Sequence, residues 1–428
     1  MRKEQVLLPL VRGVVHRPRL ASAFFRFDRW GNPFTEQIFR NPYPSYHKVR
    51  ADGPVVYRGL YQQWFVSGYE EVREILASDK VDVGTQVDVL LEVSPYTGLS
   101  EQAAWLFRHF LLMLDPPDHG RLRSLVAKAF TPRRVANLED RIRSLATEEL
   151  TGLAASGEAT WETVEAYNLP LPVNVIADLL GLPPDRWLWA RHTTHRLVQL
   201  LDPFEGFDPA DVNQAAAEAW EVWGALADER RANPTPDLLS ALVEVEEGGD
   251  RLSRDELVVM ATFLMGAGFE TTGSLLGNAT VALAAHPDQR DLLRRSPDLW
   301  PNAVEELIRF DTSVRRDPRH TNAPLTVGGV TIPAGSNVLL MLDAANHDPR
   351  HYDDPDALRL DRIDPRPISF GHGIHHCLGA NLARLELRVG LQCLLEAAGD
   401  YTVDPDAVVW KRSATLRGPT RLPLHPHP

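Results

Sequence analysis

Between residues 121 and 310 the chain is an almost unbroken run of helical patterning, and that run leaves room for little except a helix-rich fold. Apolar positions recur at three- and four-residue spacing over residues 121–130, 138–153, 173–180, 187–200, 210–232, 238–245, 255–285, 287–296 and 301–310. Pro116, Pro117 and Asp118 form a helix-start signal, prolines and an acid where the helix dipole favours them. β patterning is confined to small pieces. Residues 55–58 and 64–66 flank Gly59 as a hairpin would, and helical spacing follows over 69–77. A second β unit is expected over 326–340, around Gly328-Gly329 and Pro333-Ala334-Gly335. Residues 346–367 are rich in Pro, Asp and Arg and read as a long coil, of the length that is often functional, and 380–398 is helical again.

A length of 428 residues suggests about three domains at roughly 150 residues each. No stretch has the composition of a flexible linker, and there is no internal repeat. The expectation is therefore a mainly α chain with an irregular lead-in over 1–35 and a single domain over 36–428. The formal net charge is −13, which argues against general nucleic-acid binding. Two cysteines cannot build a disulfide framework and suit a reducing cytosol. The apolar patch 6–10 is short and contains Pro9, with Arg12, Arg17 and Arg19 behind it, so no secretory signal is expected. The most apolar stretch, 257–269, falls short of the ~20 residues of a membrane span. A cytoplasmic protein with no membrane span is the resulting expectation.

Residues 370–379 read Phe-Gly-His-Gly-Ile-His-His-Cys-Leu-Gly. A glycine-rich loop here delivers one cysteine to the start of a helix. Glycines supply unusual dihedrals and let the backbone approach a flat ligand. Backbone N–H groups near a helix start stabilise a thiolate, and a thiolate held this way can be an axial ligand to haem iron. The competing metal reading is a zinc site of His372, His375, His376 and Cys377, but zinc ligands usually come in separated pairs and there is no second cysteine pair. Cys393, among Leu391, Leu394 and Leu395, reads as a buried structural thiol.

The apolar helix pattern over 257–276 is interrupted by Gly266, Ala267, Gly268, Phe269, Glu270, Thr271 and Thr272. Helix packing at glycine and Thr hydroxyls bonded to carbonyls one turn back would account for part of this. An acid in so apolar a helix is expensive unless it is solvated or paired. Glycine, acid and hydroxyls together predict a local gap in the hydrogen-bond ladder that holds water.

Phe370, Gly373, Cys377 and Gly379 fill the pattern Phe-x-x-Gly-x-x-x-Cys-x-Gly, which resembles the haem-binding signature of the cytochrome P450 family. Ala267, Gly268, Glu270, Thr271 and Thr272 resemble its oxygen-binding motif. The resemblance spans about residues 37–424 and implies a single cytochrome P450 fold, a helix-rich haem domain with a small β-rich portion. It implies haem b held by Cys377 as the iron ligand, with Phe370, Gly371 and Gly379 in the haem loop. Ala267 and Gly268 would border the oxygen, Thr271 would hydrogen-bond it and Glu270 would relay protons. His119 and Arg123, at i,i+4 spacing, together with Arg319 and His375, would bind the haem propionates. Glu306 and Arg309 match the family's Glu-x-x-Arg and would form a buried structural unit with Arg362. Taken without the resemblance, Glu306 and Arg309 are an ordinary helix pair worth ~0.3 kcal/mol.

The implied activity is insertion of one oxygen atom from O₂ into a C–H or C=C bond of an apolar small molecule. Electrons would come from NAD(P)H through an external ferredoxin or flavodoxin and its reductase. Peroxide-driven oxidation or oxidative C–C coupling at the same haem is a second reading, and a non-enzymatic haem-thiolate sensor or carrier a third. The acid–hydroxyl pair favours the first. Substrate contacts in this family fall in segments that here are 81–112, 187–207, the Gly266 region, 312–316 and 414–416. Residues 119–144 hold seven cations against Glu139 and Asp140, a net +5 with His neutral, suited to an acidic redox partner.

Overall fold

The computed structural model describes residues 35–93, 96–202, 206–247 and 249–427. The lead-in expected over 1–35 lies outside them apart from Thr35, whose side chain caps the helix Glu36–Arg40 by accepting from Ile38 N. The described chain is mainly α and falls into two compact units. One comprises 83–138 and 172–270, the other 35–82, 139–171 and 271–427.

Every helix expected between 121 and 310 forms, with ends shifted by a few residues at most: Asp118–Ala129, Glu139–Ala155, Pro170–Leu179, Trp187–Val198, Pro209–Ala232, Leu238–Glu244, Arg254–Ala285, Pro287–Arg295 and Trp300–Phe310. Proline at the N-terminal turn starts several of them, because its missing N–H is one that the first turn leaves unbonded anyway. Gly84–Leu91 and Glu101–His109 were not anticipated. The second carried a legible signal: Ser100 accepts from Ala103 N at 3.2 Å, with Glu101 in the first turn.

In the first unit Tyr96 is a pivot. Its hydroxyl donates to the Leu200 carbonyl at 2.9 Å, and its ring packs on Phe107 and Phe207. Tyr96 thereby ties Phe107 to Leu200 and Phe207 within this unit. A buried ion pair fixes neighbouring segments: Arg230 to Asp237 at 2.5 Å, with Arg230 Nη2 also donating to the Gly181 carbonyl at 2.8 Å.

The second unit carries the five-stranded sheet, ordered Val55–Arg58, Gln63–Val66, Asn337–Met341, Arg316–Thr321, Val81–Asp82. The expected hairpin closes with Val55 opposite Val66 and Arg58 opposite Gln63. Asn337–Met341 runs parallel to Gln63–Val66 and antiparallel to Arg316–Thr321. Period-2 alternation divides the strand Asn337–Met341: Val338 and Leu340 join Val66, Val72 and Ile75, while Leu339 and Met341 pack toward Tyr46 and Phe65. The coil over 346–367 has neither helix nor strand, and Ala380–Ala398 is helical as expected. The short strands Trp161–Glu162, Thr402–Val403 and Pro423–His425 form a further sheet that periodicity could not reveal at two or three residues each.

Candidate functional site

The cysteine loop is built by backbone bonds that reverse the chain. Gly371 N donates to the Ile368 carbonyl at 2.8 Å, His376 N to the Gly373 carbonyl at 3.1 Å and Cys377 N to the Phe370 carbonyl at 2.9 Å. Gly371 and Gly373 both take φ of +70°, where L side chains are strained. A Cβ on Gly373 would also lie 2.3 Å from the Leu76 carbonyl oxygen, so the loop can seat there only with glycine. Gly379 then caps the helix Ala380–Ala398. The result is an exposed Cys377 one turn before a helix, with His375 partly exposed beside it. Cys393 is buried, and burial pushes its thiol pKa up.

Below this loop lies a fully buried ionic knot. Arg309 Nε and Nη2 bond the Glu306 carboxylate at 2.6 and 2.8 Å, and Arg362 Nε bonds both carboxylate oxygens at 3.1 and 3.0 Å. Arg359 N is a fourth donor and adds a fifth hydrogen bond at 3.0 Å. The remaining guanidinium N–H groups meet carbonyls of the long coil: Arg309 reaches Asn346, Pro355 and Ala357, and Arg362 reaches Asp353, Asp354 and Ala357. The coil has no periodicity because these side chains, rather than a backbone ladder, satisfy its carbonyls. The knot connects to the cysteine loop through Asn346, which donates to Ser369 Oγ at 2.7 Å and accepts from Ile368 N at 2.9 Å.

One support of the loop was missed in the sequence. Arg384 lies 4.5 Å over the Phe370 ring and is held by a bidentate pair with Glu305. Arg319, only 4% exposed, is gripped by Asp317 two residues earlier and by the Pro318 carbonyl at 2.7 Å. The i,i+2 spacing of Asp317 and Arg319 on a strand places both on one face, and that signal was readable.

His119 and Arg123 sit in the first unit on the helix Asp118–Ala129. His119 N donates to the Asp115 carbonyl, and the Asp115 carboxylate accepts from Val83 N and Gly84 N, which fixes the helix start. Burial, and then the Arg123 charge, lower the His119 pKa to about 4, against the pull of Asp115. His119 is therefore neutral at pH 7.

The helix Arg254–Ala285 extends through Gly266–Thr272. Its exposure pattern is the informative feature. Phe269, Glu270 and Thr272 are buried, whereas Ala267 is exposed and Gly268 and Thr271 are partly so. Positions 267, 268 and 271 lie along one strip of an α-helix. Gly268 permits close packing on Ile176, 3.3 Å from its would-be Cβ, and Gly266 does the same toward Thr194 at 3.1 Å. Among apolar residues of the segments 81–112 and 187–207, Val87, Leu197 and Leu200 are core, while Val89, Leu90, Leu91, Val198 and Leu201 keep partial exposure.

His372, His375, His376 and Cys377 do not form a zinc cage. Among the described residues no group of three or more His, Cys, Asp or Glu is placed to hold a metal ion. A single exposed cysteine is instead the donor set of a one-thiolate axial site, and a glycine loop without side chains at 371 and 373 gives a flat group its clearance, so the residues present fit haem. The basic stretch is partly neutralised. Arg121 pairs with Asp250 at 3.1 Å and also with Glu256, and Arg143 lies 3.7 Å from Glu396.

Comparison with known proteins agrees with this geometry. The family model for Cytochrome P450 matches residues 298–406, the stretch from the Glu306 knot through the cysteine loop. The chain is 39% identical over 401 residues to the Vitamin D(3) 25-hydroxylase of Pseudonocardia autotrophica, covering 91% of this chain and 95% of that protein. The chain belongs to the cytochrome P450 family. It is 38% identical over 391 residues to the 6-deoxyerythronolide B hydroxylase of Saccharopolyspora erythraea, covering 89% of this chain and 95% of the relative. The solved cytochrome P450 PksS of Bacillus subtilis superposes with a TM-score of 0.82 at 32% identity, over 92% of this chain and 99% of the other. The protein is thus a P450 oxidoreductase, a haem b monooxygenase that uses O₂ and NAD(P)H-derived electrons delivered by a ferredoxin and its reductase. No helix among the described residues is long and apolar enough to cross a membrane.

Proposed function

We propose that this P450 hydroxylates or epoxidises an apolar secondary metabolite of polyketide, terpene or steroid type, in the cytoplasm. Relatives named for vitamin D(3), 6-deoxyerythronolide B and mycinamicin IV support that class. The observation that carries the reading is the exposed Cys377 thiol, presented by a loop that glycine alone permits. Haem b, once bound there, supplies oxygen activation and oxygen-atom transfer. Cys377 holds the iron as thiolate, and Phe370, Gly371 and Gly379 shape its loop. His119, Arg123, Arg319 and His375 hold the propionates by charge-assisted hydrogen bonds. Residues 36–428 act as one haem domain, since relatives align along nearly all of it.

On the helix Arg254–Ala285, Ala267 and Gly268 leave room beside the reacting oxygen. Thr271 Oγ1 positions a proton, and Glu270 resupplies it from solvent, a division of labour suited to delivering two protons in sequence. Glu306, Arg309 and Arg362 hold the loop without touching substrate. The decisive measurement is the CO-bound reduced spectrum. A thiolate-type Soret band that disappears in Cys377→Ala supports the assignment, and the same band in that variant overturns it. A ligand screen by Soret shift on the wild type then narrows the substrate class.

A further inference from the structure

Arg315 and Arg316 adjoin at the head of the strand Arg316–Thr321, and the two guanidiniums meet different fates. Arg315 is 2% exposed and fully engaged. Its Nε bonds Asp343 Oδ2 at 3.1 Å, its Nη2 the Tyr46 hydroxyl oxygen at 2.8 Å and its Nη1 the Ser413 carbonyl at 3.3 Å. Tyr46 donates to the same Asp343 oxygen. Asp343 is therefore consumed by Arg315 and Tyr46. Arg316 makes no hydrogen bond or ion pair among the described residues, and its Nε is buried with no partner at all. Burial and the neighbouring Arg315 charge both disfavour its protonated form, more than Tyr46, Asp343 and Tyr61 favour it. Two adjacent cations thus share one carboxylate. A desolvated guanidinium without a counter-charge is costly, and an anion brought to it removes that cost.

We propose that Arg316 binds the carboxylate of an amphipathic small molecule. The side chain is partly exposed, so its terminal nitrogens can be approached although Nε is sealed. The register identifies its surroundings. Arg316 lies opposite Met341 and Pro318 opposite Leu339, which puts Arg316 on the sheet face that carries Val56, Tyr61 and Leu339, all partly exposed. A carboxylate held by Arg316 has apolar surface next to it, which suits an acid with a hydrocarbon body rather than a free inorganic anion. Asp317 and Arg319 oppose Leu340 and Val338 and so lie on the other face of the strand. That separation distinguishes Arg316 from the residue assigned to the haem propionates. The fork geometry of arginine favours bidentate carboxylate recognition over a spherical ion.

The test is equilibrium dialysis of the holoprotein against radiolabelled dodecanoate, with dodecanol as the uncharged control. Wild type is compared with Arg316→Gln and with Arg316→Lys, which keeps the charge and controls for misfolding. The expected result is dodecanoate affinity at least about tenfold weaker in Arg316→Gln, partly restored in Arg316→Lys, with dodecanol unaffected. A parallel Soret titration separates two sources of the carboxylate. A spectral shift that saturates with dialysis binding assigns it to a molecule in the haem site, and binding without a shift assigns it to a separate ligand. Equal dodecanoate binding in wild type and Arg316→Gln overturns the proposal, including the case in which the variant instead loses haem. Wild type that binds dodecanoate no better than dodecanol overturns it as well. Dialysis needs no turnover, so this outcome is independent of the monooxygenase reading.

Discussion

Replacing Glu306 with alanine is expected to abolish haem incorporation. The carboxylate accepts from Arg309, Arg362 and the Arg359 backbone, and the two side-chain partners as well as Glu306 are almost wholly buried. Alanine removes every one of these acceptors and leaves two guanidiniums in a dry interior. Each keeps its carbonyl partners on the coil but loses its counter-charge. Breaking a buried ion pair in this way costs ~3–5 kcal/mol. Stability of the whole fold is on the order of 5–15 kcal/mol, so the loss is a large fraction of it. It falls locally on the coil and on Asn346, which connects the knot to Ser369 and Ile368 at the start of the cysteine loop. Glu306→Gln retains the shape and one acceptor and should lose less. The assay is haem content per chain with the CO-bound reduced spectrum, alongside urea unfolding of the soluble fraction. A soluble Glu306→Ala protein with full haem loading and an unchanged urea midpoint would refute the reasoning.

Thr271→Ala should uncouple turnover, with product per NAD(P)H falling at least about tenfold while oxygen consumption continues; unchanged product formation with O₂ would argue against the proton role. Gly373→Ala should lose most haem and destabilise by roughly 1–3 kcal/mol, since φ there is +70° and the new Cβ would meet the Leu76 carbonyl at 2.3 Å; a fully loaded variant would contradict it. Glu386 is buried, and burial raises its pKa well above 4.5. A raised acid pKa means the folded state holds a proton that the unfolded state releases, so its stabilising contribution is present below pH 4.5 and declines as pH rises above it. Glu386→Gln should therefore be the more stable protein at pH 8 and lose that advantage near pH 4, read by urea unfolding at both values; a pH-independent difference would refute burial as the cause. Arg133→Glu with Arg134→Glu should slow ferredoxin-driven turnover most at low salt, where the charge of that stretch is least screened; equal rates across salt would remove it as a docking surface.

How much was legible depended on whether the signal was local. The helices between 121 and 310 could be read because apolar spacing at 3.6 residues is a property of consecutive residues. The same holds for the cysteine loop, where Gly371 and Gly373 mark backbone that only glycine adopts comfortably. Glycine, acid and threonine in the helix Arg254–Ala285 were also visible; the strip of exposure at Ala267, Gly268 and Thr271 was not, because it depends on what packs against the helix. Strands of two residues such as Trp161–Glu162 have no period to read, because their stability comes from the partner strand Pro423–His425 far along the chain.

By itself the sequence determined the helical class, the position of the candidate thiolate and the identity of the acid–hydroxyl pair, since each is written in neighbouring residues. The tertiary structure decided which charges are spent and which remain. Glu306 gathers Arg309 and Arg362, Asp317 orients Arg319, and Glu305 places Arg384 on Phe370. Asp343 satisfies Arg315 and leaves Arg316 without an ion pair among the described residues. Coulomb energy and desolvation depend on distance in space and on burial, and neither quantity is a function of sequence separation.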